Sequence, residues 1–292
     1  MAGMSPTPAS ETERYLRTGD SDPIFAAWPG ASLLEKATCG DAELRTALVR
    51  VVERRTRRAV VPEEVATLDA TALTLAKATP MVTGLFPERE RGPVLRLLSG
   101  AVVFLTPSNV GEILREAAHL HTAWSLANLY LLSCGAETLS ADAPRIVGLS
   151  DGARCYVSTG YFRTTERYSD FLVHEVAHVF HNWKRSRIGL PETRRCEWLL
   201  PIDFRKRETF AYACEEFSRI LELSRSREER RRRFAELLVE RGSLGRRDGG
   251  ACLEILSEAV AARNGWKRIL DQCAPIETVF GTRERAGSAA TP

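Results

Sequence analysis

Two histidines and a glutamate stand close together in one apolar stretch of the chain. His174, Glu175 and His178 form a His-Glu-x-x-His motif, and the residues between and around them are mainly valine, alanine and phenylalanine. In an α-helix, residues four apart lie one turn apart on the same face. Two imidazoles at this spacing can bind one metal ion, and a glutamate beside them can act as a base. The stretch therefore predicts a buried helix that carries part of a metal site.

The motif fixes only three positions, so a buried helix whose histidines bond to neighbouring polar groups is a competing interpretation. Zinc in a catalytic site usually takes three protein ligands and keeps a fourth position for water. A third ligand is therefore needed beside His174 and His178. His181 follows one turn further along, but three ligands on one straight helix reach a tetrahedral ion poorly. We expect His181 beside the metal, outside the ligand set.

Carboxylates follow downstream, in a segment that is also helical in pattern. The sequence Glu-Thr-Phe-Ala begins at Glu208, and Glu215 lies seven residues later on the same face. This Glu-x-x-Ala pattern after a His-Glu-x-x-His helix resembles the gluzincin group of zincin metallopeptidases, in which a second helix carries a glutamate ligand. The resemblance implies that Glu208 is the third ligand, and Glu215 stays open as the alternative. The Gly-x-x-His continuation of the metzincins is missing after His178.

The order of elements around the motif also resembles a gluzincin core. A β-like run at 101–105 precedes a helical pattern at 109–133, and β-like runs at 145–149 and 154–159 follow. The last run alternates polar with apolar residues, which predicts an edge or half-exposed strand. The motif helix and a glutamate helix at 205–223 come next. The resemblance implies an α+β, mostly helical fold with a compact zincin-like core. That core has a small sheet with a backing helix, an active-site helix and a glutamate helix.

Composition divides the chain into four parts. Residues 1–30 are rich in proline, serine, threonine and glycine, which predicts a loosely ordered N-terminal arm. Residues 31–99 predict a helical N-terminal region. For residues 100–280 the resemblance implies a zincin-like metallopeptidase domain with C-terminal helices, of which the last is an amphipathic helix predicted at 251–271, and 281–292 resemble a tail.

Charge and cysteine content exclude several classes of function. A net charge of +3 is too small to favour nucleic acid or an acidic membrane as a partner, and we interpret the Arg-rich helix predicted at 226–241 as a solvated face. Seven cysteines without C-x-x-C spacing argue against a disulfide framework and a cysteine-built zinc site. Neither a signal peptide nor a run of ~20 apolar residues is visible, so a cytoplasmic protein is expected.

The residue types and the resemblance together imply a zinc-dependent metallopeptidase. One zinc ion held by His174, His178 and Glu208 would lower the pKa of a bound water. Glu175 would take the proton of that water and pass it to the leaving amine. The expected partner is a protein or peptide substrate, and strand addition along 156–162 could hold it.

The alternative function is a non-catalytic zinc-binding interaction or regulatory module with a zincin fold. Glu175 argues against it, because a structural metal site has no use for a base. A peptidase also needs a donor for the developing oxyanion. The candidates are Tyr212, Tyr161, His181 and Arg205, and the sequence does not rank them.

Overall fold

A computed structural model describes residues 6–152, 154–192, 196–243 and 250–275. Within these ranges the protein is mostly helical and contains one small three-stranded sheet, as the predicted fold class requires. None of the described helices combines the length and apolarity that crossing a membrane would need. The tail predicted at 281–292 lies outside the described residues.

The helices and strands follow one another in this order: α1 (Pro8–Thr18), α2 (Leu33–Arg55), α3 (Glu63–Ala66), α4 (Ala70–Leu85), α5 (Glu88–Leu98), β1 (Val102–Phe104), α6 (Val110–Glu116), α7 (Leu120–Ser133), β2 (Gly148–Asp151), β3 (Arg154–Val157), α8 (Phe171–Asn182), α9 (Arg207–Glu222), α10 (Arg227–Ser243), α11 (Gly250–Ala261) and α12 (Gly265–Cys273). Short 3-10 helices lie at Thr159–Arg163, Arg185–Ile188 and Phe204–Lys206.

The sheet has the strand order β1–β3–β2. β1 runs parallel to β3, with Val103 opposite Tyr156, and β2 runs antiparallel to it, with Leu149 opposite Tyr156. Side chains of β3 alternate between the faces: Cys155 and Val157 join the hydrophobic cluster that contains α8, and Tyr156 joins a second cluster. The prediction of an edge strand at 154–159 is therefore wrong, because β3 is the central strand and is covered on both faces.

The edge strand is β2, and it borders the candidate site. Its residues after Gly148 are half-buried, and the segment 145–150 lines the cleft described below. Strand addition along 156–162 is also wrong, since that segment is a central strand followed by a 3-10 helix. The misleading signal was Tyr156, whose mixed polarity fits a half-exposed position although only 5% of its surface is exposed.

Helices cover both faces of the sheet. One hydrophobic cluster contains residues of α4, α5, α8, α9, α11 and α12, and the other contains residues of α1, α2, α6 and α7. Each cluster draws residues from both sides of position 100. The helical region predicted at 31–99 therefore packs into the same cores as the rest of the described chain.

The start of the chain is more ordered than its composition predicts. Thr7 caps α1 by accepting a hydrogen bond from the backbone N–H of Ser10, and Pro8 occupies the first turn, where its missing N–H costs nothing. Tyr15 is fully buried, and its hydroxyl donates to the carbonyl of Leu120 at 2.7 Å. The loosely ordered arm predicted at 1–30 is therefore wrong for α1, because the buried Tyr15 and a hydrogen bond from the indole of Trp124 to the carbonyl of Leu16 hold this helix to α7.

Two predicted helices are each divided. The apolar period predicted one helix over 109–133, but Ala117 and His119 leave the helical backbone conformation between α6 and α7. The helix predicted over 251–271 is α11 followed by α12, and Asn264 caps the second of them. Apolar spacing indicates which residues are buried. Because buried residues continue across both bends, the spacing does not show where one helix ends and the next begins.

Candidate metal centre

The helix that carries the His-Glu-x-x-His motif is α8, and Asp170 fixes its start. The carboxylate of Asp170 caps the helix by accepting from the N–H of Val173, and it also accepts from the hydroxyl of Tyr161 at 3.3 Å. Lys77 of α4 forms an ion pair with it at 2.7 Å. Burial raises the pKa of Asp170, and the charge of Lys77 opposes this effect. A charged network therefore holds the first turn of α8 against α4.

The three predicted ligands converge on one point. Nε2 of His174 and Nε2 of His178 lie 3.2 Å apart. Glu208, in the first turn of α9, places Oε2 at 3.7 Å from the first of these atoms and Oε1 at 3.5 Å from the second. One ligand atom from each of the three residues lies within 4.8 Å of the others. Packing of α9 on α8 thus brings a residue 30 positions downstream to the two histidines.

These separations fit a small divalent cation with tetrahedral coordination. Ligand bonds of about 2.0–2.1 Å to zinc at the tetrahedral angle place neighbouring ligand atoms roughly 3.3 Å apart. The two nitrogens lie 3.2 Å apart, and the two oxygens of Glu208 lie 3.7 Å from one nitrogen and 3.5 Å from the other, so the separations are close to this value. Two imidazole nitrogens and a carboxylate are also a donor set that zinc uses in catalytic sites.

Glu215 lies beside the cluster and outside it. Its Oε2 is 3.1 Å from Nδ1 of His174, and its Oε1 accepts the backbone N–H of Asp170 at 2.8 Å. This carboxylate is buried on the Nδ1 side of the imidazole, whereas Glu208 faces the Nε2 side. The geometry therefore favours Glu208 over the alternative ligand Glu215. A carboxylate on the far nitrogen of a metal-binding histidine orients the ring and raises its basicity.

His181 contacts Nδ1 of His178, as Glu215 contacts Nδ1 of His174. Its Nε2 lies 2.9 Å from Nδ1 of His178, and its own Nδ1 lies 3.0 Å from Oδ1 of Asn182. Because the amide oxygen can only accept, Nδ1 of His181 carries a proton and Nε2 accepts. His178 therefore donates from Nδ1. The structure thus places His181 at the Nδ1 side of His178, outside the cluster of His174, His178 and Glu208.

These hydrogen bonds determine which nitrogens are free. With Nδ1 of His174 donating to Glu215 and Nδ1 of His178 donating to His181, the two Nε2 atoms are left to share a proton or a metal ion. They lie 3.2 Å apart and face the carboxylate of Glu208, so a proton on Nε2 of His174, or a cation in its place, supplies positive charge between them. The arrangement favours a cation at this point.

The pKa values reflect the same balance. Burial lowers the pKa of His174, but the carboxylates of Glu208 and Glu215 outweigh it and raise the pKa to about 10. Burial lowers the pKa of His178 to about 4, and positive charge on His174 acts in the same direction. Burial and the charge of Arg207 lower the pKa of His181 to about 4. The cluster thus attracts one positive charge and keeps two of its imidazoles neutral.

Glu175 follows His174 on α8 and lies against the edge strand. Burial raises its pKa to about 7, and only 7% of its surface is exposed. A hydrogen bond from Ser150 of β2 opposes the rise. Gly148 of the same strand lies so close that a β-carbon there would sit 2.6 Å from Cγ of Glu175. A carboxyl group with a pKa near neutrality suits general base catalysis.

The cluster opens into a cleft of about 910 Å³ between β2 and α9. Of the four predicted oxyanion donors, Tyr212 and His181 line this cleft. The ring of Tyr212 packs edge-on against His174 with 4.6 Å between centroids. Tyr161 lies in another cavity with Asp170, and Arg205 is exposed on the 3-10 helix outside the cleft. His181 is engaged by His178 and Asn182, so Tyr212 is the best placed of the four.

Two residues of the cleft were missed at the level of sequence. Gly148 interrupts an apolar strand pattern, which is the usual sign of a close approach to the backbone, and it could have been recognised on that ground. Arg207 lies on the cleft wall next to Glu208. It stands in a segment with several basic residues, and nothing in the sequence separates it from Arg205 or Lys206.

No protein-family model, curated protein or solved structure matches this chain.

Proposed function

We propose that the protein is a zinc-dependent metallopeptidase with a gluzincin-like site. The observation that carries the proposal is the convergence of His174, His178 and Glu208 in an open cleft, with the buried Glu175 beside them. A structural zinc site is normally closed by four protein ligands, whereas three ligands in a cleft leave a position for water. The order of β1, α7, β2, β3, α8 and α9 supports a zincin-like core.

His174, His178 and Glu208 would hold the metal. Zinc bound there would lower the pKa of a bound water and polarise the carbonyl of the scissile amide. Glu175 takes the proton of the attacking water and later gives it to the leaving amine, which its pKa of about 7 permits at neutral pH. Glu215 and His181 keep the two imidazoles in the required tautomer and orientation.

The substrate lies along β2 in this proposal. β2 is the edge of the sheet and borders the cleft, so an extended peptide can add to it as a further strand. Main-chain pairing of this kind holds peptides of many sequences in one orientation. Tyr212 lines the cleft beside His174 and is placed to donate to the developing oxyanion.

The test is the Glu175→Gln variant, assayed on a library of synthetic peptides with mass spectrometry of the products. We expect wild type to cleave peptides, and Glu175→Gln to keep its zinc while losing activity by about 10²-fold or more. The matched control is Glu254→Gln, which makes the same substitution at an exposed position on α11 and should retain full activity. An equally active Glu175→Gln variant overturns the mechanism. A zinc-loaded wild type that cleaves nothing supports the non-catalytic alternative.

A further inference from the structure

Arg207 is a cation of the cleft that has no anionic partner among the described residues. It is the first residue of α9, directly before Glu208, and it lines the cleft together with His178 and His181. Its guanidinium lies 4.9 Å from the ring centroid of Phe204. Among the described residues, no carboxylate lies within 4.0 Å of it, and its Nε is buried without a hydrogen-bond partner.

The carboxylates that line the same cleft are already engaged. Glu216 is paired with Arg241 of α10, and Glu215 accepts from His174. Glu166 accepts from the hydroxyl of Ser169. Rearrangement of a neighbouring side chain would therefore break an existing interaction to satisfy Arg207.

The position of Arg207 is also restrained. The guanidinium lies over the ring of Phe204, and this cation–π contact favours one placement of the guanidinium on the cleft wall. Phe204 itself is 77% exposed at the rim of the cleft. The buried Nε is out of reach of a ligand, but the two terminal nitrogens are not buried and make no hydrogen bond or ion pair among the described residues. A carboxylate can accept two parallel hydrogen bonds from this pair of donors.

We propose that Arg207 anchors a carboxylate of the substrate, and this inference rests on the proposed peptidase function. Because Arg207 adjoins the ligand Glu208, the anchored group lies close to the scissile bond. The carboxylate can be the C-terminus of a peptide or the side chain of an aspartate or glutamate. Arg207 would then select peptides that carry negative charge near the cut.

Binding measurements on the zinc-loaded Glu175→Gln protein test this without interference from turnover. One pair of synthetic peptide libraries differs only in ending with a free carboxylate or a carboxamide. A second pair, with amidated ends, differs only in carrying glutamate or glutamine. In one of the two pairs we expect the carboxylate to tighten binding by about tenfold or more, as a charge-assisted hydrogen bond does. The pair that responds identifies the source of the carboxylate.

The Arg207→Gln substitution, made in the same background, should remove the preference, and Arg207→Lys should keep part of it. Arg205→Gln is the matched control, because this neighbouring arginine is exposed outside the cleft, and it should keep the full preference. Zinc content should be equal in all of these proteins. A carboxylate preference that persists in Arg207→Gln belongs to the metal and overturns the proposal, as does the absence of a preference in both pairs.

Failure of this inference and failure of the proposed function give different results. Peptide cleavage by wild type without any effect of the carboxylate retains the peptidase and overturns the role of Arg207. Carboxylate-dependent binding that Arg207→Gln removes, in a zinc-loaded wild type that cleaves no peptide, supports Arg207 and overturns the peptidase. Where wild type does cleave, Arg207→Gln should raise KM for acidic peptides far more than it lowers kcat.

Discussion

Gly148 of the edge strand lies directly against the carboxyl group of Glu175. A β-carbon at position 148 would sit 2.6 Å from Cγ and 2.7 Å from Oε1 of Glu175. Contacts this short do not occur, so any side chain at position 148 has to displace the glutamate or the strand. One contact therefore positions both β2, which would carry the substrate, and Glu175, which would serve as the base.

Replacing Gly148 with alanine should separate catalysis from metal binding. We expect Glu175 to move away from the ligands, with kcat falling by about 10²-fold while zinc content stays at the wild-type level, because a general base contributes about 10²–10⁴-fold. Steady-state kinetics with elemental analysis of the same sample measure both. Gly100→Ala is the control, since a β-carbon there meets no atom within 4 Å. Unchanged kcat in Gly148→Ala would show that the contact does not position the base.

His181→Phe should weaken zinc binding without removing a ligand. Phenylalanine keeps a ring in this buried position but takes away the acceptor for Nδ1–H of His178. Loss of such an outer partner costs about 10–100-fold in metal affinity. Competition with a chromogenic chelator measures the change, and His119→Phe, an exposed histidine before α7, should show none. Complete loss of zinc in excess metal would instead make His181 a ligand.

Glu208 and Glu215 should respond differently to the same substitution. Glu208→Gln removes a ligand charge and should abolish stoichiometric zinc binding. Glu215→Gln should retain the metal with an affinity about 10–100-fold lower, because its carboxylate touches the far nitrogen of His174. Chelator competition on both variants makes the comparison. The reverse order of effects would assign the third ligand to Glu215.

The network at the start of α8 should be a stability determinant. Asp170→Ala leaves Lys77 and the hydroxyl of Tyr161 without their partner and removes the helix cap. Breaking one half of a buried ion pair costs about 3–5 kcal/mol, and we expect a loss near the lower figure because Lys77 also pairs with Glu222 at 2.7 Å. Urea denaturation measures the free energy of unfolding. Glu222→Gln, at a more exposed position, should cost about 1 kcal/mol or less; equal losses would contradict this assignment.

The local parts of the site could be predicted from the sequence. His174, Glu175 and His178 are related by helical spacing, which a four-residue separation determines without knowledge of the fold. Glu208 was predicted from the resemblance of its Glu-x-x-Ala pattern to that of gluzincins, and in the structure its carboxylate lies beside His174 and His178. His181 was excluded by the geometry of one helix and lies behind His178.

The remaining features depend on contacts between distant segments. Whether β3 is an edge or a central strand depends on the strands that it pairs with, and 49 residues (105–153) separate β1 from β3 along the chain. Tyr15 is buried in a cluster formed with α2, α6 and α7, and its hydroxyl donates to the carbonyl of Leu120. Arg207 lines the cleft and the nearby Arg205 does not, which depends on how the chain folds around them. Composition and periodicity carry none of this information.

The most direct test of the account is the zinc content of the purified protein, determined by elemental analysis for wild type and for His174→Ala, Glu208→Ala and Glu175→Gln. The account predicts one zinc per chain in wild type and in Glu175→Gln, and none in the other two variants. A wild-type protein without stoichiometric zinc, or a Glu208→Ala variant that keeps it while Glu215→Ala loses it, would contradict the central claim that His174, His178 and Glu208 hold the metal.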